Sequence, residues 1–276
     1  MTRRRWGRGI RRWLAWAAGL WLTVTILLVI VLRWVDPVTS AVMLSDRIAA
    51  AIGGDTHFQF RHQWVGFARI SPNAAVAVIA SEDQKFPYHW GFDFDEIQNA
   101  LDEREEGRRT RGASTISQQV AKNVFLWNGH SLLRKGMEAY FTLLIEWLWP
   151  KERILEVYLN VAEFGRGVYG VSAASSYFFH TAPARLDRYQ AALLAAVLPN
   201  PQRLRVDLPS GYVLRRRDWI VDQMESLGGA SYLAELSNPH PERLADIKRR
   251  RRSSLTPRPS PAVRNRDWGR ASAPPA

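Results

Sequence analysis

The chain has 276 residues, no cysteine, and a formal net charge of +12. That length accommodates one substantial domain with additions, and the missing cysteines exclude disulfides, thiolate metal sites and cysteine nucleophiles. The charge does not mark a nucleic-acid binder: six arginines lie in residues 1–12 and a net +8 in residues 248–276, which leaves residues 13–247 at −2, without the basic face that such a partner needs.

In chain order, Trp13 to Leu32 is a run of twenty uncharged residues between Arg12 and Arg33. At ~1.5 Å per residue it spans the ~30 Å hydrocarbon core of a bilayer. It is too long for a signal-peptide core and no A-x-A cleavage site follows it. Trp13, Trp16 and Trp34 sit at its ends as interfacial aromatics. The preceding arginines put the N-terminus in the cytoplasm and all that follows Arg33 outside. The expected organisation is a basic cytoplasmic segment (1–12), a transmembrane helix (13–34), a connector (35–56), a mostly helical domain (57–235) and a basic Pro/Ser/Arg-rich tail (236–276).

Within the domain, alternation suited to a strand is confined to residues 56–70. Pro72 to Asp83 starts on helix punctuation and runs apolar into two acids, Glu82 and Asp83. Asp102 to Gly112 is charged and reads as a mobile loop. A helix opens at Thr115, where Thr115 and Gln118 have capping-box spacing. Ser131 to Trp149 is a long amphipathic helix stopped by Pro150, Lys151 to Asn160 follows it, and Gln190 to Leu198 is the last apolar helix. From Arg249 onward too few apolar residues remain to offset the entropy of ordering, so disorder is expected; attraction to anionic lipid or wall polymer is the functional alternative.

Four polar clusters hold the candidate chemistry. Glu82 and Asp83 end an apolar helix, where partial burial raises a carboxylate toward the range useful for proton transfer; an exposed, solvated helix end is the simpler alternative. On the helix after Ser114, the residues Thr115, Gln119, Lys122 and Asn123 share one side, so a glycine-preceded helix start with hydroxyls and a lysine two turns on forms a cradle for an anion. An ordinary capped amphipathic helix explains the hydroxyls but not the amide row. Arg134, Lys135 and Glu138 are spaced for helical ion pairs, and a surface pair accounts for them when read alone. Lys151 to Asn160 is a well-patterned helix on which Glu156 could simply face solvent.

The order and spacing of these clusters is the specific signal. Glu82-Asp83-x-x-Phe86-x-x-His89-x-Gly91-x-Asp93, then Gly112-x-Ser114-Thr115-x-x-Gln118-Gln119-x-x-Lys122-Asn123, then Arg134-Lys135-x-x-Glu138, then Lys151-x-x-Ile154-Leu155-Glu156-x-Tyr158-Leu159-Asn160 resembles the peptidoglycan glycosyltransferases of glycosyltransferase family 51. Glu163-Phe164-Gly165-x-Gly167-Val168-Tyr169-Gly170 and Ala195 to Pro201 continue the match, which covers residues 60–203. No serine stands three residues before any of the five lysines, so the resemblance is to monofunctional members without a transpeptidase.

The resemblance implies an all-α, lysozyme-like two-lobed domain behind one N-terminal transmembrane helix. Its smaller, more apolar lobe would lie against the membrane, where Phe125-Leu126-Trp127 either makes contact or packs in the core. The implied reaction joins lipid II into linear glycan strands. The acceptor 4-hydroxyl attacks the donor's anomeric carbon and undecaprenyl pyrophosphate leaves with inversion. Glu82 matches the family's base and Glu138 its second acid, which would act through Arg134, Lys135 and Lys122, or through a bridging Mg or Mn ion. Thr115, Gln119 and Asn123, with Ser114, would hold sugar or phosphate, and Asp83, Phe86 and His89 would shape the surroundings of the base. Expected partners are lipid II, the growing glycan, the inner membrane and proteins of the division or elongation machinery, with no nucleic acid. A lytic lysozyme-like glycosidase or an inactive membrane scaffold are the competing readings.

Overall fold

The computed structural model describes residues 3–105, 114–129 and 131–255 of the chain. It is built almost entirely of helices, as the sequence predicts. Residues 1–240 and 241–276 form two separate units.

The first unit begins with α1 (Arg3–Leu32), in which Arg11–Leu32 is long and apolar enough to cross a membrane. The helix starts ten residues before Trp13, so the arginine-rich segment continues the same helix. Its last turns are held to the rest of the unit through α6 (Leu132–Leu148) and α7 (Lys151–Val161). The Trp149 indole donates to the Val29 carbonyl at 2.8 Å, and Thr25 shares a 2.8 Å hydrogen bond with the Tyr140 hydroxyl. Arg153 donates to the carbonyls of Leu32 and Val35 at the open end of α1 and pairs with Asp36. A guanidinium there satisfies carbonyls left without intrahelical partners and lies at the negative end of the helix dipole.

Helix α2 (Ala41–Ile52), N-capped by the Ser40 hydroxyl, leads to strand β1 (Arg61–His62). β1 pairs in parallel with β3 (Val168–Tyr169), which pairs antiparallel with β2 (Glu163–Gly165) across a bulge. The alternation noted near residues 56–70 marks β1 alone. β2 and β3 were not anticipated, because two- and three-residue strands are too short to show a period and fall in the glycine cluster. Asn160 of α7 ties down the segment just after β1 by accepting from the Val65 N–H and donating to the Val65 carbonyl. Gly170, at φ +82°, turns the chain where a Cβ would sit 2.7 Å from the Asn160 carbonyl oxygen, so only glycine fits.

The helices carrying the candidate residues fall into two groups. In one, α3 (Pro72–Glu82) packs against α9 (Arg188–Val197) and α10 (Gly211–Leu227). Every residue from Ala74 to Ala80 is buried, as are Ala191, Ala192, Ala195 and Ala196 of α9, and such small side chains suit close packing of the two helices. Val76, Val78 and Ile79 then each contribute about 1.5–3 kcal/mol of burial. In the other group, α5 (Ile116–Phe125) packs on α6 and α7. The predicted capping box is present: Thr115 accepts from the Gln118 N–H and Gln118 accepts from the Thr115 N–H. Helix α4 (Phe94–Glu105) runs into the stretch read as a loop, whose residues 106–113 lie outside the described ones. The remaining helix of this unit, α8 (Val171–Phe179), follows the sheet.

In the second unit, α11 (Pro241–Leu255) continues past Arg249, into residues expected to be without structure. Residues 256–276 of the predicted tail lie outside the described ones.

One half-buried acid in the first unit gives a stability prediction. Burial pushes the Glu163 carboxyl up to about 7, against the opposing hydrogen bond from the Gly167 N–H. A carboxyl raised on folding supplies stability below its unfolded value of 4.5, and that stability is lost as pH rises through 7. Glu163→Gln removes the titration, so its apparent Tm is expected to exceed wild type at pH 8 and to match it near pH 4.5. After solvent screening of this partly exposed group the gain is about 1–2 kcal/mol. Equal melting curves at both pH values would rule the explanation out.

Candidate active site

Glu82 occupies the last position of α3, where its side chain reaches α5 of one helical group and α10 of the other. Its Oε2 accepts a 2.9 Å hydrogen bond from the Gln119 amide of α5, and the Gln119 carbonyl in turn accepts from the Tyr158 hydroxyl of α7. The Arg216 guanidinium of α10 approaches Oε1 at 3.7 Å. Burial raises the Glu82 carboxyl above its ordinary value, opposed by Gln119, Arg216 and Lys122 and assisted by Asp83. A carboxylate so placed is oriented by a neutral amide and poised to take up a proton.

Asp83, next in sequence, points the other way. Its buried carboxylate accepts from the Ile116 N–H at 3.0 Å and from His89 Nε2 at 2.9 Å. The start of α5 is thereby fastened to the end of α3 by an anion at a helix N-terminus. His89 Nδ1 accepts from the Gly91 N–H, which leaves the ring proton on Nε2, aimed at Asp83. Phe86 is fully buried, with the Lys151 ammonium 4.6 Å over its ring. Thr115 is buried too, its hydroxyl committed to the Gly91 carbonyl at 2.7 Å and to the capping box. Gly91 is itself required there, since at φ +82° a Cβ would lie 2.6 Å from Thr142 of α6. Asp83, Phe86, His89 and Thr115 are therefore packed together beside Glu82, and the Ile116 N–H at the start of α5, where the spacing placed an anion cradle, donates to the Asp83 carboxylate.

The cationic side lies along α5 and α6. Glu138 is only 3% exposed, and accepts from Arg134 at 3.2 Å and from Lys135. The surface ion pair suggested by spacing alone is therefore a buried carboxylate. Lys122 is half-buried within the fields of both Glu138 and Glu82; burial lowers its ammonium below the usual lysine value, Glu138 opposes that shift, and Arg134 and Lys135 add to it. Three cations against one carboxylate leave a surplus of positive charge beside the base. The Arg134 Nε is buried without a hydrogen-bond partner. Asn123 is half-buried next to Lys122, and Ser114 is exposed at the start of the helix.

The donor set does not fit a protein-held divalent ion. Each Glu138 oxygen already accepts from a cation, and no group of three or more His, Asp or Glu side chains among the described residues could hold a metal.

Several neighbours escaped sequence reading. Arg216 stands in an arginine triplet whose members look alike, and Tyr158 reads as a core residue of α7. Glu146, Ser117 and Lys151 form a buried network in which Lys151 donates to Glu146 at 2.8 Å and to the His89 carbonyl at 2.6 Å. Glu156 is not turned to solvent: it accepts from the Phe67 N–H and pairs with Arg153.

A carboxyl oriented by an amide, with a set of cations on the neighbouring helices α5 and α6, suits chemistry in which a nucleophile loses a proton while an anionic group departs. The comparisons with known proteins are specific about which. Residues 49–225 match the family model described as Transglycosylase, and the chain belongs to that family. It is 52% identical over 219 residues to the biosynthetic peptidoglycan transglycosylase of Pseudomonas fluorescens, an alignment that covers 79% of this chain and 91% of the relative. The same protein from Chromohalobacter salexigens is 49% identical over 236 residues, 86% of this chain and all of the relative, and that from Klebsiella oxytoca 56% over 196 residues, 70% and 81%. The chain is a glycosyltransferase by family.

Proposed function

We propose that this chain polymerises lipid II into linear glycan strands at the outer face of the inner membrane and releases undecaprenyl pyrophosphate. The observation that carries the reading is the Glu82 carboxylate, held at one oxygen by the Gln119 amide with the Arg216 guanidinium 3.7 Å from the other, in a chain of the transglycosylase family. In the reaction the acceptor's sugar 4-hydroxyl attacks the anomeric carbon of the donor. Glu82 takes the hydroxyl proton as the new C–O bond forms, and the bond to pyrophosphate breaks with inversion. Lys122, Arg134 and Lys135 receive the negative charge on the departing oxygen, and Glu138 holds those cations in place. Gln119 orients the base; Ser114 and Asn123, at the cleft, would contact sugar or phosphate.

Helix α1 suits a single-pass anchor, with residues 1–12 cytoplasmic by their arginines and the catalytic domain, residues 57–235, outside. Leu132, Leu133, Leu143 and Trp147 on α6 and Trp127 before it are exposed, which favours contact of this lobe with the bilayer. Leu126 is buried and Phe125 stacks on Phe141 at 4.4 Å, so only Trp127 of that trio is free to reach lipid. A lytic glycosidase needs no positive pocket beside its acid, and both acids with their cations disfavour an inactive scaffold.

The test is incubation of the detergent-solubilised chain with labelled lipid II, with and without moenomycin. Moenomycin-sensitive growth of muramidase-digestible glycan is the expected result. Cleavage of preformed glycan, or no polymer from folded protein, would overturn the proposal.

A further inference from the structure

Helix α10 buries Val213, Ile220, Val221, Met224 and Leu227 against the rest of its group. Along the edge of that buried face lie Tyr212, Arg216, Trp219 and Gln223, at spacings that put all four on one narrow stripe. Two of them fix where the stripe runs. Arg216 is 3.7 Å from the Glu82 carboxylate, and Gln223 accepts a 3.1 Å hydrogen bond from Gln84, two residues beyond Glu82. The stripe therefore passes directly beside the base. Tyr212 and Trp219, one turn to either side of Arg216, remain 52% and 43% exposed. The Arg216 Nε is buried with no hydrogen-bond partner, a donor that lacks an acceptor next to the reacting centre.

Half-exposed aromatic rings flanked by an arginine and an amide are suited to a sugar. The C–H face of a pyranose is apolar and lies flat on a ring, while its rim of hydroxyl and acetamido groups takes directed hydrogen bonds. Position selects which sugar. The cations that take the leaving group stand on α5 and α6, and α10 packs instead on α3 and α9. Inversion requires nucleophile and leaving group on opposite faces of the anomeric carbon, so the nucleophile's sugar approaches Glu82 from the side away from the cations.

We infer that Tyr212, Arg216, Trp219 and Gln223 form the subsite for the acceptor N-acetylhexosamine, whose hydroxyl Glu82 deprotonates. This deepens the glycosyltransferase reading and rests on it. Tyr212 and Trp219 stack the ring, and Arg216 and Gln223 bind its polar rim and keep it in register with the base.

The test separates the two substrates of the full chain in detergent. A labelled lipid-linked disaccharide lacking the terminal 4-hydroxyl acts only as donor; unlabelled lipid II is titrated as acceptor against it, and the two are then exchanged. Trp219→Ala and Tyr212→Ala are expected to raise the half-saturating acceptor concentration about tenfold, the scale of one lost aromatic contact, and to move that of the donor less than about twofold. Trp219→Phe restores most of the loss, and Tyr189→Ala, an exposed aromatic of α9 off the stripe, leaves both constants unchanged. Parallel changes for donor and acceptor, or no change at all, would overturn the subsite while wild-type transfer keeps the enzyme reading intact. Wild-type chain that forms no labelled product overturns both.

Discussion

Glu82→Gln is expected to lower kcat for polymerisation by about 10²–10⁴-fold, the range a positioned general base supplies, with lipid II binding close to wild type. The glutamine carbonyl still accepts from Gln119, and the cleft wall stays in place. What disappears is the capacity to take a proton. The pH profile carries a second signature. Because burial raises the Glu82 carboxyl, the wild-type acid limb should fall at a pH above the ordinary value of 4.5, with activity lost as pH drops through it and the base becomes protonated. Residual activity of Glu82→Gln should lack that limb. Initial rates of glycan formation across pH for both proteins read this directly, and a variant with wild-type turnover would remove Glu82 from the mechanism.

Glu138→Gln is expected to cost both stability and activity, for one electrostatic reason. Glu138 is the buried countercharge of Arg134 and Lys135, with Lys122 close enough to feel it. Removing one partner of a buried ion pair typically costs about 3–5 kcal/mol, and the lower end applies because Lys135 is half-exposed. The loss should appear as a lower apparent Tm. Added inorganic pyrophosphate should recover more of it in the variant than in wild type, since the ligand supplies the missing negative charge. Activity should fall about 10²–10³-fold, the scale of losing one preorganised contact to the developing anion. Unchanged melting together with normal turnover would mean that Glu138 holds nothing that matters.

These expectations rest on information of two kinds. The helices over Leu132–Leu148 and Lys151–Val161 were legible because each combines a start signal with a helical apolar period, Pro72–Glu82 because a start signal leads into a continuous apolar run, and the Thr115 capping box through its local spacing. The identity of the candidate acids and cations followed from the order and spacing of four motifs, which a linear string preserves. The run of twenty uncharged residues was equally plain.

Which way those side chains face was not legible. Glu82 and Asp83 are adjacent acids, yet one faces Gln119 and Arg216 and the other is consumed at the N-terminus of α5, because the chain leaves the helix at Asp83. Thr115 shares a helix side with Lys122 but spends its hydroxyl on Gly91, and Glu138 is buried where spacing suggested solvent. Arg216 looks no different in sequence from Arg215 or Arg217 and reaches Glu82 only because α10 returns across α3. The short strand β3 exists through pairing with β1, about a hundred residues away, and β2 through pairing with β3. Local periodicity and caps act within a few residues and can be read along a line; charge environment, burial and long-range contact depend on which helices meet, and the tertiary fold alone decides them.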